Sequence, residues 1–558
     1  MVNLVLGPCL RHVGETDATV WVETDASCEV EVLGHRAPTF HVEGHHYGLV
    51  VVEGLDRGTT YEYTVRLDGE QVWPAPGGGV AGGRGNPGSP FPPSVIRTVD
   101  PSRPFTLVFG SCRCAAPHHP PWTLTRRDHP CGREIDALYA YALRMQRQPL
   151  ERWPDALLLL GDQVYADDAS PGTRDFIRSR RDTSDPPGEE VADFQEYTRL
   201  YQEAWQDPVM RWLLSTVSVA MIFDDHDIHD DWNTSETWLR QMRAQPWWHE
   251  RIVGGLMSYW LYQHMGNLSP AELAADELYT RVRQADDAGT VLRPFAYQAD
   301  REAAGARWSY HRDFGRSRLV VIDSRCGRVL DGDQREMLDE EEWDWLERHV
   351  RGDFDHLLLA TSLPYLLLPA IHDLEAWNEA VCAGAWGRAA ARVGEVIRQG
   401  IDLEHWAAFG TSFNRLAGLI EQVGAGKSGA APASIVMLSG DVHHAYLARV
   451  VNPDLVSSPV FQAVCSPVRN PLQPTVRRAY QAAVSRPAAL IARGLARAAR
   501  VPRPALRWEI TQGPVFNNQI ASLVLDGRSA LLELERAVPD PQAQPRLETM
   551  LVHRLARS

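Results

Sequence analysis

Near-continuous apolar runs alternating with amphipathic stretches over residues 104–558 predict an α/β domain whose sheet is buried on both faces. Residues 18–67 follow a different pattern, several short alternating strands in a small span, which predicts a β-sandwich. Between the two lies APGGGVAGGRGNPGSPFPPS (75–94), whose glycines and prolines cannot carry regular structure. A chain of 558 residues also exceeds the roughly 250–300 at which a single core stops growing. Together these predict a small N-terminal domain over 1–100, with a linker at 75–94, and a large domain over 104–558.

The N-terminal strands are ATVWVETD, CEVEVLG, YGLVVVEGL and TTYEYTVRLDG, the last closed by an Asp-Gly turn. In the large domain the apolar runs are FTLVFG, ALLLLGD, VSVAMIFDDHD, RLVVIDSR, HLLLATSLPYLLLP, SIVMLSGDVHH and PVFQAVCSP. Helical periodicity fills 191–215, 237–266, 334–350 and 376–399. Arginines at 477, 478, 486, 493, 497, 500, 503 and 507 punctuate an alanine- and leucine-rich helical stretch. After it, FNNQIASLVLDGRSALLELERA reads as a hairpin returning to the core.

Eighteen tryptophans and 44% hydrophobic residues exclude a disordered chain. The net charge of −16 disfavours a stable nucleic-acid partner and is compatible with acidic clusters that attract divalent cations. Asn3, Pro8, Arg11, His12, Glu15 and Asp17 interrupt the apolar runs at the start, and no later run approaches the ~20 apolar residues of a transmembrane span. A cytoplasmic location is the corresponding expectation. Eight scattered cysteines form no CxxC pair and no disulfide framework, so buried thiols are expected, with Cys112 as the exception.

Five strands of the large domain end in residues able to bind metal or move protons: Cys112; Asp162 with Tyr165; Asp225, His226 and Asp227; Asp323; and Asp441 with His443 and His444. In open α/β sheets the ligand crevice lies beyond the carboxyl ends of the strands, so these clusters are expected to converge. A converging set of this kind suits phosphate-ester hydrolysis, in which two metals supply a metal-bound hydroxide and offset the charge on the transferring group. Asp162, after Gly161 in LLLLGDQVY, is the natural bridge between two ions. As a structural residue it would be a helix N-cap instead.

The motifs FGSC (109–112), GDQVYAD (161–167), FDDHDIHDDW (223–232) and LSGDVHHAY (438–446), in this order, resemble the alkaline phosphatase D (PhoD-like) family of calcineurin-type metallophosphoesterases. The resemblance runs from about residue 104 to the end and implies a four-layer αββα sandwich. The β-rich N-terminus is similar to the small sandwich domain that precedes it in the family. It implies that Cys112, Asp162, Tyr165 and His443 hold a first metal, with Asp441 close by as a further ligand. A thiolate, a phenolate and carboxylates around one ion suit iron(III) better than magnesium, and the family implies iron. The second ion would see Asp162, Asp225 and Asp231. Oxygen ligation favours calcium, with magnesium or manganese as alternatives, and the family implies calcium.

In the wider superfamily the turn at 225–227 carries Asn-His followed by an acid. With Asp225 at the Asn position, the resemblance implies that His226 protonates the leaving alkoxide and that Asp227 orients its ring. Arg325 is expected either to clamp a phosphoryl oxygen or to pair with an aspartate such as Asp323. The usual first motif, Asp-x-His, is replaced here by Ser-Cys. A further histidine expected after the fifth strand is absent, leaving Thr361 and Ser362. The expected activity is hydrolysis of small phosphate monoesters or diesters. The alternatives are a metal-stabilised ligand-binding protein, or a lipid-surface phosphoesterase touching an acidic surface through 475–507.

Overall fold

The structure, a computed structural model, describes residues 1–75, 90–332, 334–452, 457–483, 485–540 and 544–557. Most of the proposed linker, residues 76–89, lies outside the described residues. At the N-terminus a four-stranded sheet of Leu4–Val13, Ala18–Thr24, His45–Val52 and Phe40–Val42 faces a second one of His35–Pro38, Glu29–Val32, Val65–Leu67 and Glu70–Trp73. Val20, Val22, Val30, Val32, Val50 and Val65 fill the space between them. Side chains alternate across a strand, so Trp21, Tyr47 and Leu49 point the other way, into the core shared with the large domain.

The two parts of the chain also meet through a buried charge. Arg11 is fully buried and donates to the carbonyls of Tyr262 and Gln263, at 2.5 and 2.6 Å. Those carbonyls belong to the π-helical turn Tyr259–His264 that ends the long helix of this region.

The large domain is built on two sheets. The first runs Ser218–Ile222, Ala156–Leu160, Phe105–Gly110, Gln519–Asp526, Ser529–Val538, Arg546–Ala556. Its first three strands are parallel, and the hairpin around Asp526-Gly527 adds to them antiparallel. The second runs Tyr310–Phe314, Ser317–Ile322, His356–Thr361, Ser434–Ser439, Val460–Val464, Ala445–Val450, Trp508–Val515, with four parallel strands at its centre.

Apolar runs such as HLLLAT serve both faces of the second sheet. Leu358, Ala360, Val436 and Leu438 pack toward the first sheet, in one core with Leu107, Leu158 and Val219. Leu357, Leu359, Ile435 and Met437 pack against Trp343, Leu346, Leu416 and Ile420, which lie on the helices Glu340–His349 and Gly410–Gly424. Helix Ala137–Met145 contributes Leu138 and Tyr141 to the core on the first sheet's side. The result is the four-layer αββα sandwich, preceded by the small β-sandwich.

Three predicted helices are divided, 237–266 among them between Glu236–Arg243 and Trp248–Ser258, and a fourth begins late. Residues 191–215 break at Asp207, whose carboxylate caps the helix Pro208–Thr216. Residues 376–399 break at Gly384 and Gly387, with φ of 96° and 86°, values that suit glycine. Gln334–Glu336 is a strand paired with Val329–Asp331, and the helix starts only after the cap at Asp339.

Candidate metal centre

Three adjacent parallel strands of the first sheet and the central strand Ser434–Ser439 of the second point their carboxyl ends at one place. Two glycines make the approach close enough. A Cβ on Gly440 would lie 2.0 Å from Ser111 Oγ, and one on Gly161, at φ 101°, would lie 2.5 Å from Asp224 Cβ. Ser111 Oγ in turn accepts from the Asp441 amide at 3.1 Å, tying a loop of one sheet to a loop of the other.

Cys112, Asp162, Asp441 and His443 all adopt left-handed backbone, with φ of 55°, 51°, 61° and 51°. Non-glycine residues pay of order 1–3 kcal/mol each for such conformations, which persist where the surrounding structure dictates them and cluster at functional sites.

Sγ of Cys112 and ligand atoms of Asp162 and His443 lie within 4.8 Å of one another, as do those of Asp162, Asp225 and His226, and those of Asp224, Asp225 and Asp441. Asp162 is common to the first two sets and Asp225 to the last two, so the sets form one continuous trough. Tyr165 joins it by donating to Asp162 Oδ2 at 3.1 Å, while Asn470 Nδ2 donates to the phenol oxygen at 3.1 Å. His443 donates from Nδ1 to the Asn470 carbonyl at 2.8 Å, which leaves Nε2 as the free ligand atom.

The donors fit cations. Asp162 Oδ1, Asp224 Oδ2 and Asp231 Oδ1 are shielded from solvent and have no hydrogen-bond partner, a costly arrangement unless a positive charge meets them; Asp225 Oδ1 also lacks a hydrogen bond and has Arg325 Nη2 3.4 Å away. Burial, then the neighbouring Glu404, Asp402, Asp230 and Asp225, push Asp231 up to about 9. Burial, with Asp225 and Asp224 adding to it against His226, holds Asp162 well above the carboxylate range. Burial, then Asp162 and Asp441, raise the Cys112 thiol. A soft thiol, a phenol and the His443 imidazole gather around Asp162 at one end of the trough, and the carboxylates of Asp224, Asp225 and Asp441 meet at the other.

His226 stands at the open side, its side chain 25% exposed, with Nδ1 2.8 Å from Asp167 Oδ2 and 3.0 Å from Oδ1. Burial opposes a charged ring, but Asp167, Asp225 and Asp162 outweigh it and hold the pKa well above the ordinary histidine value. The partner expected from sequence, Asp227, does something else. Its carboxylate accepts the backbone amides of Asp162 and Asp224 at 2.9 Å, Gln163 at 3.2 Å and Val164 at 3.3 Å, and Gln263 Nε2 at 3.3 Å. The reason is the turn Asp225–Asp227, a 3-10 segment. Successive side chains there point about 120° apart, so His226 faces out while Asp227 faces in beneath the loop.

Of the two roles expected for Arg325, the structure shows pairing with an aspartate, though the partner is Asp224 and not Asp323. Arg325 is fully buried, bonded to Asp224 and 2.6 Å from Glu404 Oε1, with Asp225 Oδ1 3.4 Å and Asp441 Oδ1 3.9 Å away. A guanidinium enclosed by four carboxylates is a counter-charge beneath the trough, and it is not exposed to clamp a phosphoryl oxygen. Asp323 does not pair with it side chain to side chain: it accepts the amides of Arg325, Cys326 and Gly327 at 2.8, 3.0 and 2.9 Å.

Sequence reasoning passed over Asp167, Asp224, Asn470, Glu404 and His405. The first two sit inside quoted motifs and were legible there as extra acids. His405 has no such signal, because it follows no strand. It bridges Asp441 Oδ2 at 2.9 Å and Glu375 Oε1 at 2.7 Å. Ser362, the residue left where a further histidine was expected, donates to Asp224 Oδ1 at 3.0 Å. His444 points away from the trough, with Nε2 3.1 Å from the Tyr480 hydroxyl.

No helix among the described residues is long and apolar enough to cross a membrane. Residues 1–82 match a domain family of unknown function, DUF7800. No curated protein matches this chain. A solved structure titled "Structure of PhoD" is similar over 99% of this chain and 91% of its own, with 12% identity and a TM-score of 0.56, which establishes likeness of fold. Residues 131–494, more than half of the chain, match the family model described as PhoD-like phosphatase. That span includes every trough residue from Asp162 to His443, with Cys112 just before it, and the chain belongs to the PhoD-like phosphatase family.

Proposed function

We propose that the trough hydrolyses phosphate monoesters or diesters with two cations held by this chain. The observation that carries the reading is the meeting of Cys112, Asp162 and His443 within 4.8 Å, beside buried carboxylate oxygens of Asp162, Asp224 and Asp231 that have no hydrogen-bond partner. Cys112, Asp162, Tyr165, Asp441 and His443 would hold iron(III); Asp162, Asp225 and Asp231 would hold calcium, or magnesium or manganese in its place. When bound, such ions supply Lewis acidity toward phosphoryl oxygens and lower the pKa of water toward neutrality.

The protein's own groups do the rest. His226, held through Nδ1 by Asp167, presents Nε2–H toward the open side, where it can protonate a departing alkoxide. Asp227 keeps the 162–164 and 224 amides in place so that Asp162 and Asp225 hold their orientation. Arg325 moderates the repulsion among Asp224, Asp225 and Asp441 from below.

The test is metal analysis of the purified protein together with hydrolysis of p-nitrophenyl phosphate and bis-p-nitrophenyl phosphate. Asp162→Ala is expected to lose metal and turnover together. His226→Ala is expected to keep its metal and lose roughly 10²–10⁴-fold in rate, least with these activated leaving groups. A metal-free wild-type protein that turns over both esters at full rate would refute the reading.

A further inference from the structure

We propose that the solvent face of the helix Arg486–Ala498, with the unpaired arginines around it, docks on an anionic lipid bilayer. The helix is built the wrong way round for a protein surface. Its small residues Ala492 and Ala496 are buried, while Leu490 and Ile491 are 76% and 65% exposed. Leu490 and Ile491 share the outward face with Arg486 and Arg497, both exposed. Large apolar side chains turned to water beside cationic ones mark a surface that enters the headgroup region of a membrane.

The charge pattern points the same way. Between Gln473 and Trp508 the sequence has no aspartate or glutamate, within a chain whose net charge is −16. Among the described residues Arg478, Arg486, Arg497, Arg500 and Arg503 make no ion pair, and in this stretch only Arg493 has a carboxylate partner, Asp373 at 2.8 Å. A second copy of the chain would bring these arginines face to face across a symmetric interface. A nucleic acid would satisfy the arginines and leave Leu490 and Ile491 in water. An anionic bilayer satisfies both.

The helix before this face packs on the loop that carries Asp441 and His443. The preceding helix, Pro474–Ala483, carries Val476, 48% exposed, and Tyr480, whose hydroxyl is 3.1 Å from the Nε2 of His444, the residue after the proposed ligand His443.

Sedimentation of the full-length protein with vesicles of phosphatidylcholine alone, or mixed with phosphatidylglycerol, tests this. Binding is expected to the mixed vesicles, to weaken as salt is raised, and to fall about fivefold for each of Arg486→Gln and Arg497→Gln. Leu490→Ser with Ile491→Ser should lower it by roughly tenfold or more. Both pairs of variants should keep wild-type hydrolysis of a small soluble ester, since none of these side chains touches the trough, and this separates a docking defect from misfolding. Equal binding to both kinds of vesicle, no binding, or binding indifferent to the Leu490 and Ile491 changes would overturn the proposal. So would a concentration-dependent dimer that the serine variants abolish without altering vesicle binding.

Discussion

Asp167 Oδ2 lies 2.8 Å from Nδ1 of His226, although 59 residues separate the two in the chain. The loop that supplies the proposed bridging ligand Asp162 thus also supplies the carboxylate that orients the ring. The amide of Ala166 donates to the carbonyl of His226 at 2.9 Å, which ties the two loops together. The proposed ligand and the proposed proton donor thus share a support.

Asp167→Asn is expected to retain metal and to lower kcat by roughly 10- to 100-fold, less than loss of the acid itself. The pH profile gives the sign. His226 must be protonated to donate, and its pKa is held above the ordinary value, burial notwithstanding, by Asp167 first and then Asp225 and Asp162. Activity should therefore fall as pH rises through that pKa. Removing the Asp167 charge lowers it, so the alkaline limb of kcat should move to lower pH; a limb that stays where it is would remove Asp167 from this role.

Asp227→Ala should behave differently from Asp167→Asn. It leaves the buried amides of Asp162, Gln163, Val164 and Asp224 without their acceptor. Unsatisfied buried groups cost about 1–3 kcal/mol each. Lower stability in denaturant and loss of metal are expected together, whereas an Asp227→Ala protein with wild-type metal content would show the amide contacts to be dispensable.

Arg325→Met removes the cation between Asp224 and Glu404, both fully enclosed. Breaking a buried pair from one side typically costs ~3–5 kcal/mol because the remaining charge is uncompensated. Urea unfolding of the metal-free protein should record a loss of that size, and a variant as stable as the wild type would contradict the counter-charge role.

His405→Gln tests a residue that no motif flagged. Its imidazole bridges Asp441 and Glu375, and groups that orient a metal ligand typically change affinity by about 10- to 100-fold. Competition with a chelator should show the first metal leaving at correspondingly lower chelator concentration, with little change in rate once metal is restored in excess.

The visible spectrum would report on the proposed first ion. A phenolate or thiolate on iron(III) absorbs in the visible, so the purified protein is expected to be coloured and Tyr165→Phe to shift or weaken the band. A colourless, fully active, iron-free protein would show that the iron assignment is wrong.

What the sequence determined by itself is local. Alternation placed the strands of the sandwich, and the runs from FTLVFG to SIVMLSGDVHH placed the parallel strands, because burial on both faces leaves no polar position to hide them. Strand ends carrying Cys112, Asp162, Asp225 and Asp441 could be read as one site because carboxyl ends of parallel strands share an edge of the sheet. Tertiary structure alone decided which side chain faces which. In a 3-10 turn a step of one residue turns the side chain by about a third of a circle, so Asp227 went inward and Asp167, from another loop, took the place beside His226. Burial likewise made Arg325 a counter-charge, since a guanidinium's role depends on where its partners lie and not on the residues next to it. His405 and Glu404 arrive from a segment with no strand before it, and only the packing of that segment against the 441 loop brings them to the trough.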